Sequence, residues 1–303
     1  MSDATACTVQ TCDVSMSWYG YQPNLGINVF FVAIYSTIAI NCFILAVWKR
    51  KWLAYTIALL VGSLLELVGY AARIAGHNDP WFSTGWILQY AIITFAPVFM
   101  SAALYVCIGR IADFLGRGLL NIKPKLYSWV FIPSDFLALV VQGAGGAISV
   151  TESVTTTGVT PGAAIVIAGL AFQVTSLTIF FILFGAVLWP SNIWHPKSSD
   201  LPIRQAKRLR TFVICIIISI LLIIGRSAFR VAELSQGVRG SLVHDELLFI
   251  IFDSFPIVIA TAIMVTVHPI FMLQTENHKK SNSQEMELLS GRLASEGYRG
   301  LTI

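Results

Sequence analysis

Charge is scarce in this chain. Asp, Glu, Lys and Arg together make up 12% of its residues, against roughly 25% in an average soluble domain. With 56% hydrophobic residues, it has too few solvated side chains to fold with water as its only solvent. Other absences narrow the chemistry. No Gly-x-x-x-x-Gly-Lys-Ser/Thr occurs, which excludes a P-loop ATPase site. No lysine falls inside a long apolar run, which excludes a retinal Schiff base. The five histidines are dispersed: His77 and His244 in loops on one side, His195 and His278 on the other, His268 at the end of the last run. That scatter supplies neither the paired axial ligands of a haem nor the converging ligands of a zinc hydrolase. His77, His244 and Asp245 therefore read as solvated loop residues. No nucleophile-base pair stands out, so neither catalytic residues, a metal, a cofactor nor a nucleic-acid partner is expected.

Two further gaps concern topology. The first 25 residues hold no Lys or Arg and so lack the basic n-region of a cleavable signal peptide; the first apolar run reads as an uncleaved anchor. No Asn-x-Ser/Thr sequon marks a glycosylated side. The five cysteines form no metal pattern: Cys42, Cys107 and Cys215 stand singly in apolar runs as small hydrophobes. Cys7 and Cys12 share a short segment, where a local disulfide and two free thiols are both open.

What is present is apolar sequence gathered into windows of about 20 residues, the length that crosses a hydrocarbon core about 30 Å thick. Seven such windows run from Gly26 to Trp48, Leu53 to Ala75, Gly85 to Gly109, Tyr127 to Val150, Pro161 to Leu188, Thr211 to Ala232 and Leu247 to Phe271. The expected fold class is an all-α polytopic membrane protein with seven transmembrane helices. Sixteen of the 20 Lys and Arg residues fall in alternate loops and the C-terminal tail, which the positive-inside rule assigns to the cytosol, giving N-out and C-in. Tryptophan agrees, since its ring settles at the headgroup level. Trp18, Trp81 and Trp86 lie at the expected outer boundary, and Trp48, Trp52, Trp129, Trp189 and Trp194 at the inner one. The organisation is an extracellular tail over 1–25, a membrane domain over 26–273 and a cytosolic tail over 274–303. The basic loop from Trp189 to Arg210 reads as a surface attracted to anionic lipid. The tail is expected to be mostly disordered, with one short amphipathic helix from Glu285 to Leu293.

Ionisable residues inside these windows need an explanation, because a charge at the bilayer centre costs at least about 2.5 to 3.5 kcal/mol. Glu66, Gly69, Tyr70 and Arg73 fall at i, i+3, i+4 and i+7, one face of the second helix. Arg226, Arg230 and Glu233 form a stripe on the sixth, and Glu246, Ile250 and Asp253 one on the seventh. Counting from the window ends places these charges in the outer half, where they are expected to converge. Asp135 and Gln142, seven apart on the fourth helix, put Asp135 deeper. Gln89 and Gln173 suit interhelical hydrogen bonds or ligand contacts. Gly143, Gly145, Gly146, Gly162 and Gly169 allow helices four and five to approach closely. Pro97 and Pro256 can kink their helices. One reading is an ion-pair network that only orients helices. The other is a headgroup site, in which guanidinium groups fork onto phosphate or carboxylate while an acyl tail stays in lipid.

The order of these segments carries a resemblance: Glu66-Leu-Val-Gly-Tyr-Ala-Ala-Arg73, Ala96-Pro97 through Tyr105 to Arg110, Asp135 with Gln142-Gly143, Gly169-Leu170 with Gln173, Arg226 through Arg230 to Glu233, Glu246 with Asp253, and His268-Pro269. The chain resembles the fungal lipid-translocating exporters, the seven-helix family named for resistance to aminocholesterol. The resemblance implies a plasma-membrane protein tied to efflux or flipping of sphingoid long-chain bases, to resistance against sterol-like toxicants, and in one branch to porphyrin and haem traffic. Together these readings suggest a non-enzymatic exporter of a membrane lipid or amphiphilic small molecule. Glu66, Tyr70, Arg73, Gln89, Asp135, Gln142, Gln173, Arg226, Arg230, Glu233 and Asp253 are the candidate substrate contacts. A seven-helix receptor or stress sensor that binds an amphiphile without moving it is the alternative. Homo-oligomerisation stays open.

Overall fold

A run that cannot be hydrated must satisfy its backbone amides internally, and a helix does so within one segment. The computed structural model describes residues 7, 9, 11–48, 50–114, 125–151, 159–188, 203–236 and 242–270. All regular elements among these described residues are helical. They are α1 (Leu25–Trp48), α2 (Leu53–Asn78), α3 (Ser83–Phe114), α4 (Lys125–Thr151), α5 (Pro161–Leu188), α6 (Ile203–Ser235) and α7 (Glu246–Thr266). All seven are long and apolar enough to cross a membrane, and the chain is an integral, multi-pass membrane protein. Of the expected basic loop from Trp189 to Arg210, the residues from Ile203 onward instead form the first turns of α6; residues 189–202 and the C-terminal tail, with its expected helix from Glu285 to Leu293, lie outside the described residues.

The helix ends depart from the expected windows in one instructive place. α7 stops at Thr266 instead of running to Phe271, because Pro269 disfavours helical geometry in the residue before it. The same helix is composite. A single α-turn (Glu246–Leu248) leads into a π-helical stretch (Phe249–Ser254), which returns to α-helix at Phe255. Pro256 sits in the first turn of that last segment. Its ring lacks an N–H and crowds the carbonyl one turn back, and a locally wider turn accommodates both. Pro97 and Pro133 lie inside α3 and α4.

α3 is the most buried of the seven spans and α1 and α4 are the least. α1 packs on α2 and α7, α2 on α3, and α4 and α5 on one another. The α4–α5 contact is built on glycine, as the sequence suggested. A Cβ on Gly145 would stand 2.8 Å from the Gly162 carbonyl oxygen, and one on Gly162 would stand 2.5 Å from the Ser149 nitrogen. Large apolar side chains face away from the bundle, among them Ile40, Phe43, Phe136, Leu137, Ile182, Leu221 and Phe252, as a hydrocarbon solvent favours; the exposed Thr37 and Asn41 bond carbonyls of their own helix. A core of Tyr55, Leu59, Met100, Leu104, Phe212, Ile216, Ile220, Ile257 and Met264 fills the middle.

At the end of the bundle where α1 begins, the N-terminal segment is structured. Cys7 and Cys12 are joined by a disulfide, resolving the open alternative. A 3-10 turn at Val14–Met16 is capped by the Asp13 carboxylate, which accepts from the Ser15 amide; that bond holds the carboxyl below its usual range. Residues 17–24 then lie across the ends of α2, α3 and α7 as a strap. At the opposite end, His268 Nδ1 accepts from the Ile270 amide, and Nε2 is 3.0 Å from the Thr56 hydroxyl. Burial lowers the pKa of this imidazole to about 4.

Candidate functional site

The stripes on α2, α6 and α7 meet in the half of the bundle nearest the strap. Asp253, wholly buried on the π-helical stretch, is the hub. Its Oδ1 accepts from Arg230 Nε at 2.6 Å and lies 3.1 Å from Arg226 Nε. The second contact is a charge contact without hydrogen-bond alignment. Arg226 instead donates through Nη2 to the Ile93 carbonyl of α3 at 2.6 Å. Arg230 also donates through Nη1 to Glu233 at 3.0 Å. Its guanidinium carbon lies 4.9 Å from the Tyr90 ring centre and 5.2 Å from that of Phe249, within cation-π range. Arg226, Arg230, Glu233 and Asp253 are all at most 2% exposed. Burial at this depth holds only when opposite charges offset one another's desolvation.

Arg73, at the strap end of α2, has a different set of partners. Its Nη2 donates to the Tyr21 hydroxyl and lies 3.3 Å from Glu246 Oε1. Phe249 flanks it at 4.2 Å, with Tyr21 and Tyr19 at 5.6 and 5.8 Å. The strap is fastened by further bonds. Tyr19 donates to Gln89 at 2.7 Å, the Asn24 amide to Glu246 at 2.9 Å, and Gln22 to the His77 carbonyl at 3.1 Å. Trp18 packs on Trp86, and Gly20 takes a positive φ of 71° against the His244 ring. Burial raises the Tyr19 hydroxyl to about 12, so it is a neutral donor at physiological pH.

Beneath the strap the polar site has closed on itself. The space bounded by Tyr19, Tyr21, Arg73, Gln89, Tyr90, Arg230, Glu233 and Phe249 is about 20 Å³, room for about one water. Beside it, a groove of about 740 Å³ opens between the strap and the start of α7, lined by Tyr21, Asn24, Ile27, Glu246, Leu247 and Ile250. Glu246 and Tyr21 are shared between the groove and the strap's fastening to Arg73.

Eleven candidate contacts divide into three sets. Arg73, Gln89, Arg230 and Glu233 line the small closed space. Glu66, Tyr70, Arg226 and Asp253 lie deeper on the same side. Tyr70 stacks on Phe31 at 4.8 Å and on Tyr35 at 5.8 Å. Asp135, Gln142 and Gln173 are not among them; they lie between α3, α4 and α5. There Tyr105 donates to Asp135 at 2.8 Å and Gln142 to Gln173 at 3.0 Å. α4 touches α3 and α5 rather than α2 or α7, so its polar face does not reach the arginines. The sequence reading missed Tyr19, Tyr21, Tyr90 and Phe249. The run Trp18-Tyr19-Gly20-Tyr21 was the available signal for the first two.

No solved structure matches the chain. Sphingoid long-chain base transporter RSB1 of Saccharomyces cerevisiae is 29% identical over 281 residues, covering 83% of this chain and 73% of its own. Protoporphyrin uptake protein 1 of the same yeast is 27% identical over 205 residues, covering 67% and 65%. Protein RTA1 is 25% identical over 236 residues, covering 78% and 72%. The family described as RTA1 like protein matches residues 59–276, which span all three sets of polar residues, and the chain belongs to that family.

Proposed function

We propose that this protein moves a lipid or amphiphile across the plasma membrane, with its N-terminus outside and its C-terminus in the cytosol. The headgroup is held in the outer half by Arg73, Gln89, Arg230 and Glu233, with Arg226 and Asp253 behind them. The observation that carries the reading is the pairing of a buried ionic network with a cover made of a loop segment held by a few hydrogen bonds. Arg230 and Asp253 are 1% and 0% exposed, yet Arg73 is closed off only by a loop segment and one turn of α7. A network serving helix orientation alone has no need of a strap. The relatives named as a sphingoid long-chain base transporter and a protoporphyrin uptake protein support an amphiphilic substrate. A sphingoid base suits the site best: its amine meets Glu233 or Glu246, and its chain fits the groove edged by Ile27, Leu247 and Ile250.

The cavity of about 20 Å³ is too small for a headgroup, so transport requires the strap to lift. The test is movement of a labelled long-chain base across vesicles reconstituted with the purified chain, comparing wild type with Arg73→Gln and Arg230→Lys. Protein-dependent movement that both variants reduce at least tenfold, with normal folding, supports the reading. Saturable binding without movement assigns the chain to the sensor class instead. Unchanged movement in both variants removes the proposed site.

A further inference from the structure

Below the arginines lies a second cluster of buried polar groups, of which the proposed headgroup site uses only Asp253. Glu66 is 0% exposed, and neither of its carboxylate oxygens has a hydrogen-bond partner. The Tyr35 hydroxyl and Asp253 Oδ2 are likewise buried and unpartnered, and the Tyr70 hydroxyl and Ser254 Oγ have no partner but one another. Buried polar groups are nearly always satisfied. Here six oxygens from α1, α2 and α7 have no partner beyond that one contact. Tyr70 stands one turn from Glu66 on the same face of α2, and its ring stacks on that of Tyr35. The fields of Arg226, Asp253 and Arg230 act on Glu66, and Ser254 lies beside the Tyr70 hydroxyl.

Charge balance makes the same demand. Arg73 is matched by Glu246. Arg226 and Arg230 are bound to Asp253 and Glu233. Glu66 is then a third acid against two arginines, without an ion pair of its own, and a buried unpaired carboxylate is strongly disfavoured. One more positive charge restores neutrality. We propose that this cluster binds a single exchangeable monovalent cation, held by Glu66 and by the oxygens of Tyr35, Tyr70, Ser254 and Asp253. An all-oxygen donor set suits a hard cation. Two carboxylates beside two arginines suit a single charge better than a divalent metal, and no cluster of three His, Cys, Asp or Glu occurs among the described residues. The phenol rings also offer a primary ammonium cation-π contact. The π-helical stretch that presents Asp253 and Ser254 is a backbone feature common at functional sites. The titratable and charged groups around Glu66 are Tyr35 from α1, Tyr70 from α2, Arg226 and Arg230 from α6, and Asp253 from α7. This inference does not depend on transport, because binding is read on the isolated protein.

Thermal unfolding of the full chain in nanodiscs of neutral lipid tests it. Three arms separate sources of the charge: a pH series in choline chloride, replacement of choline by sodium or potassium at constant ionic strength, and dodecylamine against dodecanol. Wild type is expected to gain stability in the alkali or the amine arm. An alkali response identifies an inorganic ion and an amine-over-alcohol response an organic ammonium, whereas an acid-side gain alone means that protonation of Glu66 supplies the missing charge and overturns the cation site. Glu66→Gln is expected to lose the responding arm. Tyr70→Phe, which keeps every charge, is expected to weaken half-saturation by about tenfold, the scale of one charge-assisted hydrogen bond; it carries the test if Glu66→Gln does not fold. Identical curves for wild type and variants in all three arms overturn the proposal.

Discussion

The two halves of the bundle handle buried polar groups in opposite ways. Away from the strap, α3, α4 and α5 pair theirs locally: Tyr105 with Asp135, Gln142 with Gln173, and glycine against backbone between α4 and α5. Near the strap, Arg226 and Arg230 share a network with Glu233 and Asp253, Arg73 pairs separately with Glu246, and Glu66 has no ion pair. This half leaves six oxygens with no partner beyond one contact between two of them, and is covered by a strap from outside the helices. Polar contacts that serve only to register helices look like the first arrangement. The second carries more charge than registration needs, under a cover formed by a loop segment.

The sharpest way to break the contrast is at Asp253. Its Oδ1 meets both Arg226 and Arg230, so Asp253→Ala leaves two buried guanidiniums with one fewer acid. Removing one partner of a buried pair costs about 3–5 kcal/mol. The expected result is loss of most folded protein, or a large fall in unfolding temperature in nanodiscs. Arg226→Met with Asp253→Ala in the same chain is expected to recover part of it, because the second change removes a stranded charge. A fall of only a degree or two in the single variant makes the network far weaker than its geometry indicates.

A smaller effect is expected at the strap. A Cβ on Gly76 would stand 2.5 Å from the Tyr19 hydroxyl, so Gly76→Val displaces that ring and its bond to Gln89. One hydrogen bond contributes about 1 kcal/mol, roughly a fivefold change in an opening equilibrium. Hydrogen exchange over residues 17–24 should quicken by that factor while exchange in α4 and α5 stays unchanged. Equal quickening in both regions would mean the substitution loosens the bundle rather than its cover.

How much of this was legible in sequence depends on periodicity. The helices, and the faces carrying Glu66, Arg73, Arg226, Arg230 and Glu233, followed from offsets of three, four and seven, because a helix repeats its geometry and a bilayer punishes stray charge. Asp135 and Gln142 obeyed the same offsets, yet joined a different cluster with Gln173. Depth can be counted along a helix, but the identity of the neighbouring helix is a tertiary fact, and α4 neighbours α3 and α5. The strap residues Tyr19 and Tyr21 lie in a segment without a repeat, so nothing in their spacing pointed toward Arg73. The π-helical stretch was hidden for another reason. Pro256 announced a break in α7 without saying whether it would be a bend or an inserted residue.

The smallest effect, and the finest check on the comparison, concerns Gln142 and Gln173. Each is 2% exposed, and the two side chains bond one another at 3.0 Å. Changing either to Leu strands its partner, at a cost of about 1–2 kcal/mol, whereas changing both removes the need for a bond. Within a membrane the coupling averages only about 0.6 kcal/mol, so a double-mutant cycle on unfolding temperature should show slight destabilisation in each single variant and partial recovery in the double. Movement of labelled long-chain base should stay at wild-type rates in all three. Abolished movement in a stably folded double variant would place the α4–α5 pair on the substrate's path, and the polar residues of both halves would then belong to one route through the bundle.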